Sequence, residues 1–355
     1  MQGIGCELFN CSAARGSLGY DATMSTPRSE EEASLVGQTL FGTYTVTAKL
    51  GEGAMGNVYL AEQEKTGQRL AVKLLNERAA KDAETVARFL REARVISMLT
   101  HPNIVRVFIF GETKSGSSYM AMEHVEGTGL DREVSRGAMP EERAIDIARQ
   151  MVDAIGEAHD LGIMHRDLKP ENVLLTEHRG RRDFVKILDF GIAKVKNTSQ
   201  QLTQSGIVYG TPAYMSPEQA QALDIDARAD LYSLGCMMYE MVTGKLPFDA
   251  KTALKILEMQ AFQAPEPPSS RGTVSPGFEA VILKAMAKKP ENRFQNAQEM
   301  LDALDALDAK DAPTQGPFDA LNELARSEKW FWPAILGAIA LLLFLVLVLL
   351  IAAIF

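Results

Sequence analysis

His165-Arg166-Asp167-Leu168-Lys169-Pro170-Glu171-Asn172 is the stretch around which the rest of the chain is organised. It follows the helical pattern of Ile145 to His159 and precedes the apolar run Val173-Leu174-Leu175, so it reads as a loop between a helix and a strand. Gly162 and Pro170 mark its bounds as turn residues. Within six residues it carries an acid (Asp167), a cation (Lys169) and an amide (Asn172). A carboxylate can orient an attacking hydroxyl, an ammonium can meet the charge on a moving phosphoryl group, and an amide oxygen can ligate magnesium. Phosphoryl transfer requires those functions at one point. Taken alone, the stretch is equally an ordinary solvated turn, as short charged runs beside a proline commonly are. The choice depends on complementary parts elsewhere in the chain.

All eight residues together resemble the catalytic loop of eukaryotic-type protein kinases. Upstream, the strand pattern Tyr44-Thr45-Val46-Thr47 leads through Leu50 to Gly51-Glu52-Gly53-Ala54-Met55-Gly56-Asn57-Val58. The three glycines let the backbone approach phosphates with no side chain in the way. The same G-x-G-x-x-G spacing occurs in dinucleotide folds, but between a strand and a helix. Here Val58-Tyr59-Leu60-Ala61 reads as a returning strand, Thr66-Gly67 as a turn, and Arg69 to Leu75 as a third strand. A glycine loop inside a hairpin belongs to the kinase arrangement.

Lys73 stands in that third strand between apolar neighbours, a placement that calls for an anion partner. The nucleotide α/β-phosphates are one candidate. The other is a carboxylate from the following helix, whose apolar spacing runs from Val86 to Leu99; Glu92 there resembles the family's helix-C glutamate, with Glu84 as a less well registered second acid. Tyr119 to Val125 reads as another strand that ends at Gly127, an expected hinge between two lobes. By resemblance Met122 is the gatekeeper, backbone groups of Glu123 and Val125 bond adenine, and Val58, Ala71 and Leu174 sandwich its ring. Without the resemblance these are ordinary apolar core positions.

Downstream, Lys186-Ile187-Leu188 runs into Asp189-Phe190-Gly191, 22 residues after Asp167, where an aspartate at a strand end is placed for Mg²⁺. Ile192 to Tyr209 is polar and without a core pattern. Gly210-Thr211-Pro212-Ala213-Tyr214-Met215-Ser216-Pro217-Glu218 then matches the family's substrate-side segment, with Ser216 in place of the usual alanine. The resemblance implies that Glu218 pairs with Arg293, that Asp230 anchors the catalytic loop from a buried helix, and that Thr211 faces Asp167 and Lys169. It also points to Thr203 and Ser205 as activating phosphorylation sites read by Arg166.

The chain therefore resembles a bacterial Hanks-type Ser/Thr protein kinase over roughly residues 44 to 305. What the resemblance implies is an α+β, bilobal fold with a β-rich N-lobe and a helical C-lobe. The expected cofactors are ATP and Mg²⁺, with Mn²⁺ as an alternative ion, and the expected partners are protein substrates. Lys169 favours Ser/Thr over Tyr acceptors. A catalytically silent pseudokinase scaffold has the same fold, and a small-molecule phosphotransferase shares the core chemistry but should lack the Gly210 to Glu218 segment.

Composition agrees. The net charge of −9 and the lack of a long Lys/Arg block argue against nucleic-acid binding. Three cysteines without ligand spacing suit a reducing compartment; Cys236, in an apolar helix, reads as a buried structural thiol. The expected organisation is a flexible tail over 1–43 without a signal peptide, a catalytic domain over 44–308, a linker and juxtamembrane segment over 309–332, and a transmembrane helix over 333–355. Those last 23 residues carry no charge and are long enough for a ~30 Å hydrocarbon core. Trp330 and Trp332 fit the interface, and Arg326 and Lys329 put the catalytic domain on the cytoplasmic side of the cell membrane. Anchoring raises local concentration and so favours a homodimer for autophosphorylation in trans. Because the span meets the end of the chain, no external sensor is expected; a longer receptor cut at this point is the alternative.

Overall fold

The computed structural model of the chain describes residues 35–53, 56–113, 117–190 and 212–311. Strands β1 (Thr39–Leu40), β2 (Tyr44–Gly53), β3 (Gly56–Gln63) and β4 (Arg69–Leu75) come first, followed by helices α1 (Glu77–Ala80) and α2 (Ala83–Ile96) and strands β5 (Val107–Glu112) and β6 (Ser118–Glu123). The six strands form one sheet in the order β1-β2-β3-β4-β6-β5. The expected glycine hairpin is β2–β3, antiparallel with Gly53 opposite Gly56. The predicted third strand keeps its bounds at Arg69 and Leu75.

Alternation along β4 decides which face does what. Leu70, Val72 and Leu74 point to one side, into a core with Val46, Tyr59, Ala61 and Ala121. Ala71 and Lys73 point to the other side. Leu35, Leu40 and Phe41 cover the first face, and the Phe41 ring lies 4.4 Å from that of Tyr119. Gly37 N donates to Val46 O, and Val46 N to Gln38 O. The expected tail over 1–43 is thus corrected at its far end. Leu35 to Thr43 is structured, because the sheet offers it an apolar face and an edge to pair with.

The second lobe begins with β7 (Thr128–Gly129), α3 (Leu130–Ser135) and α4 (Glu141–Asp160). Strands β8 (Val173–His178) and β9 (Arg181–Ile187) complete a small sheet in the order β7-β8-β9. Then come α5 (Pro217–Ala220), α6 (Arg228–Thr243), α7 (Ala253–Phe262), α8 (Pro276–Ala285) and α9 (Ala297–Asp311). Helix α6 is buried at every position from Ala229 to Thr243, as a helix without a polar face must be, and α4 and α8 pack on it. Cys236 lies within it, and burial pushes its thiol up to about 12, so it is the inert structural thiol expected. Among the described residues no helix is long and apolar enough to cross a membrane. The span expected over 333–355 lies outside the described residues, as does the juxtamembrane segment from residue 312 onward.

Candidate active site

The loop from His165 to Asn172 leaves α4 and enters β8, as its flanking patterns predict, and it is held from beneath by α6. The Asp230 carboxylate accepts hydrogen bonds from the backbone N–H of His165 and of Arg166, each at 2.8 Å. His159 Nε2 lies 2.9 Å from the same carboxylate. Burial would push the Asp230 carboxyl up, but its hydrogen bonds, that with His159 first and that from the Arg166 N–H among them, hold it below its ordinary value. Arg166 consequently sits in the left-handed region, with φ 64°. Such a backbone costs on the order of 1–3 kcal/mol and persists only when it is over-determined. Here Gln219 Nε2 also holds the Arg166 carbonyl at 2.9 Å.

His165 is wholly buried, with its ring 4.7 Å from that of Phe190, and burial lowers its pKa so that the imidazole is neutral. Its Nε2 lies 3.0 Å from Leu188 O, which can only accept, so Nε2 carries the proton and Nδ1 is left to face Asp167 N at 3.4 Å. Lys169 Nζ stands 3.6 Å from Asp167 Oδ2. Asn172 Nδ2 donates to Asp167 O at 2.8 Å, so its amide oxygen is the atom that remains for a cation. Leu188 N donates to Asn172 O at 2.8 Å, tying the segment that bears Asp189 to the loop.

Asp189 has φ 38°, and its Oδ2 lies 2.9 Å from Lys73 Nζ. Its surroundings push the carboxyl up, but the ammonium of Lys73 outweighs them and holds it below the usual carboxylate range. Asp189 is neither of the two anions expected for Lys73, the nucleotide phosphates and a carboxylate of α2; the chain leaving β9 brings it there. Glu92 stands on α2 as predicted, but its side chain, and with it the expected Lys73–Glu92 pairing, lies outside the described residues.

Above these groups is a cavity of about 290 Å³. Leu50, Val58, Ala71 and Leu174 form its apolar walls, Met122 lines it, and Glu123 to Gly127 with Asp189 complete it. Glu123 N is already bonded to Arg106 O at 2.9 Å, so the carbonyl is what Glu123 can offer a ligand. The Glu123 side chain pairs with Lys186 at 2.8 Å. Gly51, Glu52 and Gly53 lie on β2 and Gly56 and Asn57 on β3, outside the cavity walls; Ala54 and Met55 lie outside the described residues. Gly56 has a second reason to be glycine. A Cβ there would sit 1.9 Å from Leu74 O on the neighbouring strand.

On the substrate side, Arg293 and Glu218 form a buried two-pronged pair at 2.7 and 2.8 Å, as expected. Arg293 also donates to Ala287 O, Lys288 O and Arg228 O. Ser216 opens α5 with a capping box to Gln219. Thr203, Ser205 and Thr211 lie outside the described residues. Sequence reasoning did not find His159, Gln219 or the Lys73–Asp189 contact. A polar residue three positions after Ser216, where a capping box places Glu or Gln, was the one available signal for Gln219.

Among the described residues no group of three or more His, Cys, Asp or Glu could hold a metal. A magnesium ion that takes one carboxylate, one amide oxygen and nucleotide phosphates needs no such cluster, and Asp189 and Asn172 fit that demand.

Residues 44–304 match the protein kinase domain family. The chain is 41% identical to the serine/threonine-protein kinase pkn3 of Myxococcus xanthus over 282 residues, 78% of this chain and 51% of that protein. It is 41% identical over 256 residues to the serine/threonine-protein kinase PknB of Mycobacterium leprae, 71% of this chain and 40% of that one. It therefore spans about half or less of these relatives. Among solved structures, the PknI kinase domain of Mycobacterium tuberculosis is similar at a TM-score of 0.59 and 29% identity, covering 76% of this chain and 98% of that one. Rad53 1–466 in complex with AMP-PNP is similar at 0.62 and 30% identity, covering 74% and 65% respectively.

Proposed function

The chain belongs to the protein kinase family, in company with bacterial Ser/Thr kinases, and on that premise we propose that it transfers the γ-phosphoryl group of ATP to Ser and Thr hydroxyls of proteins. One observation carries the reading. Asp167 pairs with Lys169 and accepts from Asn172, Asp189 pairs with Lys73, the Leu188 N–H bond to the Asn172 carbonyl joins the two groups, and Asp189 also lines a cavity with apolar walls.

In this reading Asp167 orients the acceptor hydroxyl and takes its proton, and Lys169 meets the charge on the moving phosphoryl group. Lys73 positions the α/β-phosphates, and the β2–β3 hairpin covers them. Adenine enters between Val58, Ala71 and Leu174, with the Glu123 carbonyl and the Val125 N–H as its polar contacts. Asn172 and Asp189 would hold Mg²⁺, or Mn²⁺ in its place, which supplies charge neutralisation on the phosphates when bound. The resemblance gives the Thr211 hydroxyl a role beside Asp167 and Lys169, and makes Thr203 and Ser205 the sites whose phosphates Arg166 would read. The test is incubation of the full chain with labelled ATP and Mg²⁺, followed by mapping of phosphosites. Label on Ser and Thr of the chain and of an added protein supports the reading; hydrolysis without protein labelling overturns it.

The uncharged run Pro333 to Phe355, flanked by Trp330, Trp332, Arg326 and Lys329, supports a single membrane anchor, with the catalytic domain on the cytoplasmic face and crowded copies acting on one another as homodimers. The chain should then sediment with membranes and be released by detergent but not by salt. Deleting residues 330–355 should free it with catalysis intact, and a full-length chain that is soluble without detergent overturns the anchor.

A further inference from the structure

The short turn Pro212-Ala213-Tyr214, buried at all three residues, precedes α5 on the substrate side, and side chains from two helices hold its carbonyls. Ser233 Oγ of α6 donates to Tyr214 O at 2.8 Å. Gln260 Nε2 of α7 donates to Ala213 O at 2.5 Å and to Pro212 O at 3.3 Å. Gln260 has no exposed surface, and its Oε1 accepts from Tyr232 OH at 2.5 Å. Tyr232 OH in turn accepts from Lys288 Nζ at 2.8 Å. Lys288 also donates to Gln260 O at 2.8 Å and Met259 O at 3.4 Å, in the last turn of α7, where the helix dipole favours a cation. The ammonium lies 4.3 Å from the centre of the Phe248 ring.

The direction of this chain of bonds is forced. The ammonium can only donate and the carbonyls at the far end can only accept, so the tyrosine hydroxyl must pass its proton toward Gln260. The amide must then present its nitrogen to the turn; reversed, it would set an oxygen against two carbonyl oxygens. None of the three side chains lines the nucleotide cavity.

We infer that Gln260, Tyr232 and Lys288 are positioning residues that fix the Pro212–Ala213 backbone for the incoming protein acceptor, without acting on the nucleotide. This rests on the function proposed above. The two Gln260 bonds restrain the Pro212 and Ala213 carbonyls directly, and the Tyr232 and Lys288 bonds hold the Gln260 amide in the orientation that makes them. Loosening the relay therefore weakens acceptor binding and leaves ATP binding alone.

The experiment uses the full chain with labelled ATP and casein as acceptor, comparing the unaltered protein with Gln260→Met, Gln260→Glu and Tyr232→Phe. Gln260→Met should raise the KM for casein about tenfold, the size expected for one or two buried hydrogen bonds, with the KM for ATP within about twofold. Gln260→Glu should do worse than Gln260→Met, because a carboxylate oxygen would face the two carbonyls. Tyr232→Phe removes only the hydroxyl, so it folds if the core tolerates any change, and should raise the casein KM by about threefold. Unchanged casein KM in Gln260→Met and Tyr232→Phe overturns the inference. So does a parallel rise in both KM values with a lowered Tm, which marks general loosening. If the unaltered chain labels neither casein nor itself, the parent reading falls and takes the inference with it.

Discussion

Replacing Glu218 with Ala tests the energetics of the substrate side. The Arg293 side chain is 0% exposed and that of Glu218 8% exposed, and two N–H···O bonds of 2.7 and 2.8 Å join them. Without Glu218 the guanidinium keeps three carbonyl acceptors, at 2.7 Å from Ala287, 2.9 Å from Lys288 and 3.3 Å from Arg228, but loses its counter-charge. A buried charge stripped of its partner costs about 3–5 kcal/mol. That is a large share of a typical domain stability of about 5–15 kcal/mol. For a chain of this size it corresponds to a fall in Tm of roughly 10 °C. Thermal unfolding and urea titration of the single and double variants measure it. Because an ion pair replaced at both ends by apolar residues is often neutral, Glu218→Met with Arg293→Met should cost less than the sum of the two singles. A single substitution costing under about 1 kcal/mol, or a strictly additive double, would refute the reasoning.

Three further outcomes follow from the geometry. Gly56→Ala should lower stability by about 1–3 kcal/mol and weaken nucleotide binding, because its Cβ meets Leu74 O at 1.9 Å; Gly53→Ala, whose Cβ among the described residues meets Gly56 O at 3.6 Å, should be far milder, and equal losses in Tm would contradict this. Lys73→Met should cut kcat/KM for ATP by about 10- to 100-fold, the worth of a charge-assisted contact, and should raise the Asp189 carboxyl pKa, both checked by steady-state kinetics against pH. Asp230 has a folded pKa below its unfolded one, so its contribution to stability is intact above the unfolded value of about 3.9 and is lost as pH falls through the folded value. Urea titrations from about pH 5 downward through the unfolded value should show that slope in the unaltered chain and a flatter one in Asp230→Asn.

Much of this is legible in the amino-acid sequence, for physical reasons. The alternation in Arg69 to Leu75 has one reading as a strand, and a lysine between apolar neighbours demands an anion nearby. Glu218 with Arg293, and Asp230 beneath the catalytic loop, were reached through the resemblance, because 75 and 64 residues separate those partners and local chemistry does not span such gaps. What stayed hidden depends on surfaces that exist only after folding. Leu35, Leu40 and Phe41 show no period, and only the finished sheet gives them a face to cover. Gly56 looked like a glycine for phosphates, yet the Leu74 carbonyl alone excludes a side chain there. The relay from Lys288 to Ala213 joins one short loop, two helices and a turn, none of which announces the others.

If Asp167 is the base at a Mg-ATP site, labelled-phosphate transfer by Asp167→Asn, measured alongside nucleotide affinity, separates its role in turnover from binding. Turnover should fall by roughly 10²–10⁴-fold, the usual worth of a positioned base, while ATP affinity stays within about twofold of the unaltered chain. Undiminished transfer by Asp167→Asn would contradict the account at its centre.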